Sequence, residues 1–414
     1  MANQALVSAL AVLEPVLDIV ERQVDEPAVP AWCAERGWHG FLLGLSDAEL
    51  ELAEARGLAA VLAHSPAAPA SLRRLVEDVD SATRVPALTA APLDIPEAAW
   101  RGIALRKRGQ IAAFLPLLEP LARRAERVVD LGAGKGHLSR LAAELFGRHT
   151  LAWEREAAHT RAGELRANER ATALGDLDLR FVVADALLRE PELHATDLAV
   201  GLHACGELGD SLVGLAAAAH CDLALISCCL QKVLASVRAP LSEAARALKL
   251  PRAALGLTNL TIGPDGVEAT LEENLRAREA RLGLRRLLRE RGLGVAAGEE
   301  MRGVNRRTAQ RGLFALASRA CSVRSLAAPT QEEVTRAAGA AAVAYARVRR
   351  LSLPRNLLAR LVELAVVLDR AALLEERGLA VRVARLCEHD LTPRNLALFA
   401  SSHPERLPRL DPAQ

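Results

Sequence analysis

The chain predicts an α/β fold: a seven-stranded, largely parallel sheet with helices on both faces. Three observations carry this. A Gly-rich turn joins an apolar strand to a helix between Val128 and Ser139 (VVDLGAGKGHLS). Two later apolar runs, Leu151–Glu154 and Leu179–Asp185, also end in an acid. Between Arg127 and about Leu230, strand-like and helix-like stretches alternate, as in a parallel sheet covered by helices.

Residues 1 to about 100 read as helices, because apolar residues in Ala5–Val20 and Ala48–Leu62 recur at helical period. Prolines at 66, 69, 86, 92 and 96 mark a loop-rich connection. A helix around Gly109–Arg124 precedes the first strand. The fourth and fifth strands fall at Asp197–Leu202 and Asp222–Ser227. Residues 232–330 are too long for one crossover and read as a helical, partly basic insert, with a charged helix near Leu271–Arg291. Helices resume at Gln331–Arg347 and Pro354–Arg377, the second with Pro inside its start and Gly378 just past its end. Ala380–Leu386 and Leu396–Ala400 close the sheet as a hairpin through Glu388–Asn395. The chain thus divides into N-terminal helices (1–100), a core (101–231), an insert (232–330) and closing helices and strands (331–402).

Glycine at a strand-to-helix turn lets the backbone approach a ligand and adopt conformations closed to other residues. The helix that follows offers unpaired N–H groups to an anion. The spacing here is GxGxG. It is neither the GxGxxG dinucleotide fingerprint nor a P-loop, which Lys135-Gly136-His137 does not supply. Glu154 ends the second strand 18 residues beyond Gly136, where an acid can accept hydrogen bonds from ribose hydroxyls. Asp185 ends the third. The turn most resembles the first motif of class I S-adenosylmethionine (SAM) methyltransferases, whose Rossmann-like sheet has seven strands, the last one antiparallel. That resemblance implies SAM as cofactor, with Asp130, Gly132, Gly134 and Gly136 around its methionine end, Glu154 on the ribose and Asp185 on the adenine amino group.

Composition narrows the function classes. The 414 residues suffice for a large core, and 51% hydrophobic content is that of a globular protein. A formal charge of +2 provides no global field for nucleic acid. Lys107, Lys135, Lys232 and Lys249 are the chain's lysines, so arginine is the default cation and its clusters carry little information. Aromatics at 3% leave few base-stacking platforms. Glu14 and Asp18 interrupt the apolar N-terminus, no basic segment precedes it, and no run reaches the ~18 uncharged residues of a membrane span. Seven cysteines without CxxC spacing fit a reducing cytoplasm better than a disulfide framework.

Several further segments together resemble the methyltransferase-like 25 group, which includes proteins named for a ribosomal RNA adenine dimethylase domain, and their bacterial relatives. They are the 128–139 turn, Gly201–Asp210 (GLHACGELGD), Ser227-Cys228-Cys229, Val362–Arg370 (VELAVVLDR) and Thr392–Leu398 (TPRNLAL). Arg106-Lys107-Arg108-Gly109-Gln110 departs from that family's basic pair and His-Glu, which leaves a substrate role there in doubt. The resemblance spans about 105–400 and implies SAM binding; it leaves the acceptor open.

His203 and Cys205 lie at the end of the fourth strand, Cys228 and Cys229 at the end of the fifth. All four are expected to face the cleft at the carboxyl ends of the strands. Four readings remain open: small residues packed along the pocket, His203 as general base, a cysteine nucleophile adding to a pyrimidine before carbon methylation, and a His/Cys metal site. Adjacent Cys228 and Cys229 do not easily point at one tetrahedral centre, so no metal is expected. The Asn/Asp-Pro-Pro-aromatic segment of adenine-amine methylation is missing from the fourth strand's end, and no Lys-Asp-Lys-Glu tetrad is apparent. The His-x-Cys-Gly and Cys-Cys pair resembles a eukaryotic tRNA acceptor-stem 2′-O-methyltransferase, without that enzyme's Cys/His-rich zinc modules. That favours RNA as acceptor.

Arginines 276, 278, 281, 285, 286 and 289 follow one predicted helix, interspersed with Glu272, Glu273, Glu279 and Glu290, which suggests a salt-bridged face. Arginines 302, 306, 307 and 311 have no acids among them; phosphate binding there would weaken steeply with salt. The sequence therefore predicts a cytoplasmic SAM-dependent methyltransferase acting on RNA (tRNA or rRNA). The alternatives are a protein or small-molecule methyltransferase, or a SAM-binding module without transfer activity. Oligomeric state is not legible.

Overall fold

A computed structural model describes residues 2–25, 27–260, 270–305, 307–387 and 395–411, with all their side chains except those of residues 106, 173, 174 and 260. The expected connection at Glu388–Arg394, Arg306 of the basic stretch and residues 261–269 of the insert lie outside the described residues.

Seven strands form one sheet: β1 (Arg127–Leu131), β2 (His149–Glu154), β3 (Leu179–Val183), β4 (Asp197–Leu202), β5 (Asp222–Ile226), β6 (Ala380–Arg385) and β7 (Leu396–Ser401). Their order is β3-β2-β1-β4-β5-β7-β6. The first five run parallel, and β7 is antiparallel to both β5 and β6. This is the Rossmann-like sheet expected. Strands β5 and β7 are buried along their whole length, as strands covered on both faces must be. Register places Asp130 beside Ala152 and Leu131 beside Trp153, so Glu154 reaches one residue past the end of β1. The order reverses between β1 and β4, the switch point where such sheets bind ligands.

The chain sorts into two compact units. The first comprises Met1–Val16, Asp80–Thr261 and Ala359–Gln414. It holds the sheet and six helices used below: α1 (Ala2–Leu13), α2 (Leu105–Ala122), α3 (His137–Phe146), α4 (Ala157–Leu174), α5 (Glu207–Ala219) and α6 (Ala359–Glu376). Ile111, Phe114 and Leu118 of α2 pack with Val128, Leu198, Ala224 and Phe399 of the sheet. Helix α1 packs on α6 and buries Leu6, Leu10 and Leu13, while the backbone N–H groups of Ala2 and Asn3 donate to the Glu375 carboxylate at 2.8 and 2.9 Å. Ala2–Glu21, which contains Glu14 and Asp18, is the one described helical segment long and apolar enough to cross a membrane.

The second unit comprises Leu17–Val79 and Ile262–Leu358. Its helices Leu271–Glu290, Leu313–Val323 and Gln331–Leu357 bury Leu284, Leu287, Leu288, Leu316 and Val334 together. This division differs from the sequence division at 100, 231 and 330. Apolar helix faces from distant stretches bury one another, and a linear reading cannot pair them.

Three elements differ from expectation. Ala70–Ala82 is helical within the stretch read as loop, its Leu72, Leu75, Val76 and Val79 forming a buried stripe between the prolines. The helix Gln331–Leu357 continues through Pro354, and the break falls at Leu358, so Pro354 does not open the next helix. Gly57, at φ +85°, divides the expected 48–62 helix into Asp47–Arg56 and Leu58–Leu62.

Candidate active site

The site forms at the carboxyl ends of β1, β2, β3 and β4. Gly132, Gly134 and Gly136 take φ of +74°, +60° and +62°, and Gly136 caps α3. A Cβ on Gly136 would lie 2.5 Å from the Phe181 ring, which also packs on Gly163 of α4. Trp153 O accepts from Gly132 N (2.9 Å) and Ala133 N (3.0 Å). The Glu154 carboxylate accepts from Gly134 N (2.8 Å) and Glu156 N (2.9 Å). Each oxygen retains acceptor capacity.

A cavity of about 560 Å³ opens beside this turn, within the range of small-ligand sites. Of the expected cofactor residues, Gly132, Gly134, Glu154 and Asp185 line it. Asp130 and Gly136 stand behind it. Asp130 is buried and accepts from Ser139 Oγ at 2.6 Å. Burial pushes its carboxyl up to about 6, against the Ser139 hydrogen bond and the charge of Lys107. Burial, with nearby Lys107, Arg166, Arg140 and Lys135, lowers His137 to about 4, so its ring is neutral at pH 7. The Asp185 carboxylate accepts from Leu187 N at 3.0 Å, and Arg189 lies 6.0 Å from the Trp153 ring centroid.

His203 and Cys205 line the cavity's far wall with Glu207, Lys232 and Leu234. His203 takes φ +73°, and its N–H donates to Ile226 O at 2.9 Å, which turns the chain sharply off β4. Its Nε2 meets Gln110 Oε1 at 2.9 Å. With that oxygen accepting, Nε2 is the donor. Gln110 is buried on α2, inside the segment whose departure from the family pattern argued against a role. Lys107, one helical turn earlier, is drawn below its ordinary range by burial and by Lys135, while Asp130 and Glu154 oppose that shift. Both residues were missed as site residues. The signal for Lys107 was the scarcity of lysine, of which it is one of four in the chain; Gln110 carried no such signal.

The four expected reactive residues come together. Cys205 and Cys228 face each other from the turns after β4 and β5, Cα to Cα 5.3 Å, a separation that a disulfide can span. The Sγ atoms of Cys205, Cys228 and Cys229 all lie within 4.8 Å of one another. The turn after β5 makes this so. Arg370 of α6, fully buried, donates from Nη2 to Gly206 O (2.8 Å), from Nη1 to Ser227 Oγ, and from Nε to Asp210 (2.8 Å). Arg238 donates to Asp210 twice at 2.9 Å and to Asp369 at 2.8 Å. Burial alone would raise the Asp210 carboxyl, but Arg370 and Arg238 hold it below the ordinary range. A Cβ on Gly206 would stand 2.0 Å from the Lys232 carbonyl oxygen, which cannot give way. The resemblance segments at 201–210, 227–229 and 362–370 are thus one connected structure.

In the second unit, the arginine helix is tied down by residues beyond it. Arg281 and Arg285 both donate to buried Glu300, and Arg285 also pairs with Asp25 at 3.1 Å. Among the expected helix pairs, Arg276 meets Glu272 at 3.8 Å. Arg302, Arg307 and Arg311 are exposed.

Residues 106–236 match the family model described as a methyltransferase domain. No curated protein matches the chain. Among solved structures, similarity is found to a putative sarcosine dimethylglycine methyltransferase from Galdieria sulphuraria (18% identity, 37% of this chain and 59% of that one, TM-score 0.25). A second is the O-methyltransferase from the trans-AT PKS multienzyme of Brevibacillus brevis in complex with S-adenosyl-L-homocysteine (12%, 65% and 80%, TM-score 0.23). A third is coclaurine N-methyltransferase bound to N-methylheliamine and SAH (15%, 75% and 93%, TM-score 0.28). The chain spans 59% of the length of the first of these. The residues that match the methyltransferase-domain model include the five parallel strands β1 to β5.

Proposed function

We propose that this chain is a SAM-dependent methyltransferase, with RNA as the acceptor class. One observation carries the cofactor reading: the glycine turn, Glu154 and Asp185 border one cavity at the sheet's switch point. The residues fit the group. Glu154 has acceptor capacity for two ribose hydroxyls, Asp185 for an adenine amino group, and the start of α3 offers N–H groups to a carboxylate. SAM, when bound, supplies a methyl group on a sulfonium that an in-line nucleophile displaces.

The protein's part is alignment and proton handling. His203, whose Nε2 meets Gln110, is the candidate base for an acceptor hydroxyl or amine. His203→Ala is expected to lower turnover by about 10²-fold or more while leaving the SAM dissociation constant unchanged; full turnover with the true acceptor would exclude the role.

Asp130 gives a pH prediction. Its folded pKa is raised, so the stability it contributes is present below about pH 4 and lost as pH rises through about 6. Above that, the ionised carboxylate behind the turn attracts the cationic cofactor. Asp130→Asn is expected to raise the denaturation midpoint at pH 7.5 while weakening SAM binding. It should also flatten the rise in affinity between pH 5 and 7. Calorimetric titration across that range checks both, and unchanged affinity at pH 7.5 refutes the electrostatic role.

The RNA reading rests on the His-x-Cys-Gly and Cys-Cys resemblance, Lys232 on the far wall, and exposed Arg302, Arg307 and Arg311. The internal ion pairs of Arg281 and Arg285 support the second reading, a protein or small-molecule acceptor. Labelled methyl transfer from SAM into extract of a deletion strain, split by nuclease and protease, decides. Nuclease-sensitive label supports RNA once DNase leaves it intact, protease-sensitive or small-molecule label supports the second, and no label points to a SAM-binding module.

A further inference from the structure

Three cysteines converge beside the cleft, with Cys205 among its lining residues. Cys205 follows β4, and Cys228 and Cys229 follow β5; each is half-buried. The Cys205–Cys228 Cα separation of 5.3 Å lies within the range that a disulfide spans without backbone movement. The turns are held at that distance by other means: Arg370 grips Gly206 O and Ser227 Oγ, each one residue from a cysteine, and Glu207 N donates to Lys232 O at 3.0 Å. A link between neighbours Cys228 and Cys229 would close a tight ring around their own peptide bond. Cys205 is therefore the shared partner, with two sulfurs in reach. Cys33, Cys221 and Cys321 are buried, and burial pushes the first two thiols up to about 11 and about 12, which makes them inert by comparison.

We propose that Cys205, Cys228 and Cys229 form a reversible thiol–disulfide exchange site on the cleft wall, in which Cys205 pairs with either of the other two and a low-molecular-weight disulfide is the exchange partner. In oxidation, the Cys205 thiolate attacks one sulfur of the small disulfide and expels one thiolate. The Cys228 or Cys229 thiolate then attacks the Cys205 sulfur of the mixed disulfide and expels the second. Two protein thiols are oxidised, the small disulfide is reduced to two thiols, and the two protein protons pass to the expelled thiolates. Cys205 lines the cavity two residues from His203, so the redox state alters the wall that faces the acceptor.

The test reads thiols rather than methyl transfer, so it stands or falls separately from the enzymatic reading. The full chain is equilibrated in mixtures of reduced and oxidised glutathione, alkylated and mapped by mass spectrometry. A Cys205–Cys228 link that appears in the oxidising limit and disappears in the reducing limit is the expected result. Cys228→Ser is expected to move the link to Cys229, and Cys205→Ser to abolish it; circular dichroism confirms that the variants fold, and the wild-type titration needs no variant. Free thiols in every mixture, or a link that no mixture breaks, would overturn the proposal. So would stoichiometric Zn²⁺ binding that shields all three thiols of the reduced chain, which would mark a metal centre instead.

Discussion

Arg370→Met is expected to destabilise the sheet-bearing unit by about 3–5 kcal/mol, the cost of removing one partner from a buried ionic network. The guanidinium is fully buried and serves three acceptors at once: Asp210, Gly206 O and Ser227 Oγ. Its loss leaves Arg238 between two carboxylates, Asp210 and Asp369, with an uncompensated negative charge inside the protein. It also leaves the Gly206 carbonyl and the Ser227 hydroxyl without the donor that sets the turns after β4 and β5. Arg370→Lys is expected to recover only part, because a single ammonium cannot reproduce the planar fork. Chemical denaturation gives the measurement. A loss below about 1 kcal/mol for the Met variant would show that the network relaxes or admits water.

Glu154→Gln has the largest expected effect on cofactor binding, a weakening of about 10- to 100-fold. Hydrogen bonds to a charged acceptor contribute about 1.5–3 kcal/mol, and each 1.4 kcal/mol is tenfold in affinity. The carboxylate acts twice: it accepts the Gly134 and Glu156 N–H groups that shape the turn, and it borders the cavity. Glutamine keeps the volume but replaces one acceptor oxygen with a donor that opposes an N–H group. Calorimetric titration with SAM, alongside a denaturation curve, separates lost affinity from lost fold. Undiminished affinity in a folded variant would remove Glu154 from the ribose role.

Much of the site was legible because its signals are local. The turn from Val128 to Ser139 needs its glycines for its own backbone, and Glu154 and Asp185 announce themselves as acids closing apolar strands. The strand boundaries follow from short apolar runs bounded by turns and agree with the sheet to within one or two residues. The sulfur cluster was half legible: His203, Cys205, Cys228 and Cys229 sit at predicted strand ends, but no spacing says which cysteines pair. Gln110 was hidden because an amide on a helix becomes part of a site only when something distant needs it; here that is His203, 93 residues away.

By itself, the sequence determined the α/β class, the strand sequence, the cofactor-type turn and the acids around it. These depend on apolar periodicity, turn chemistry and residues within about twenty positions of one another. Tertiary structure decided the rest. It joined Leu17–Val79 to Ile262–Leu358, brought Cys205 and Cys228 together, and set Arg370 against partners 143 to 164 residues away. Those choices rest on which buried faces and charges satisfy one another once the chain has closed. Any buried arginine can in principle meet any buried aspartate, so no local pattern encodes the match.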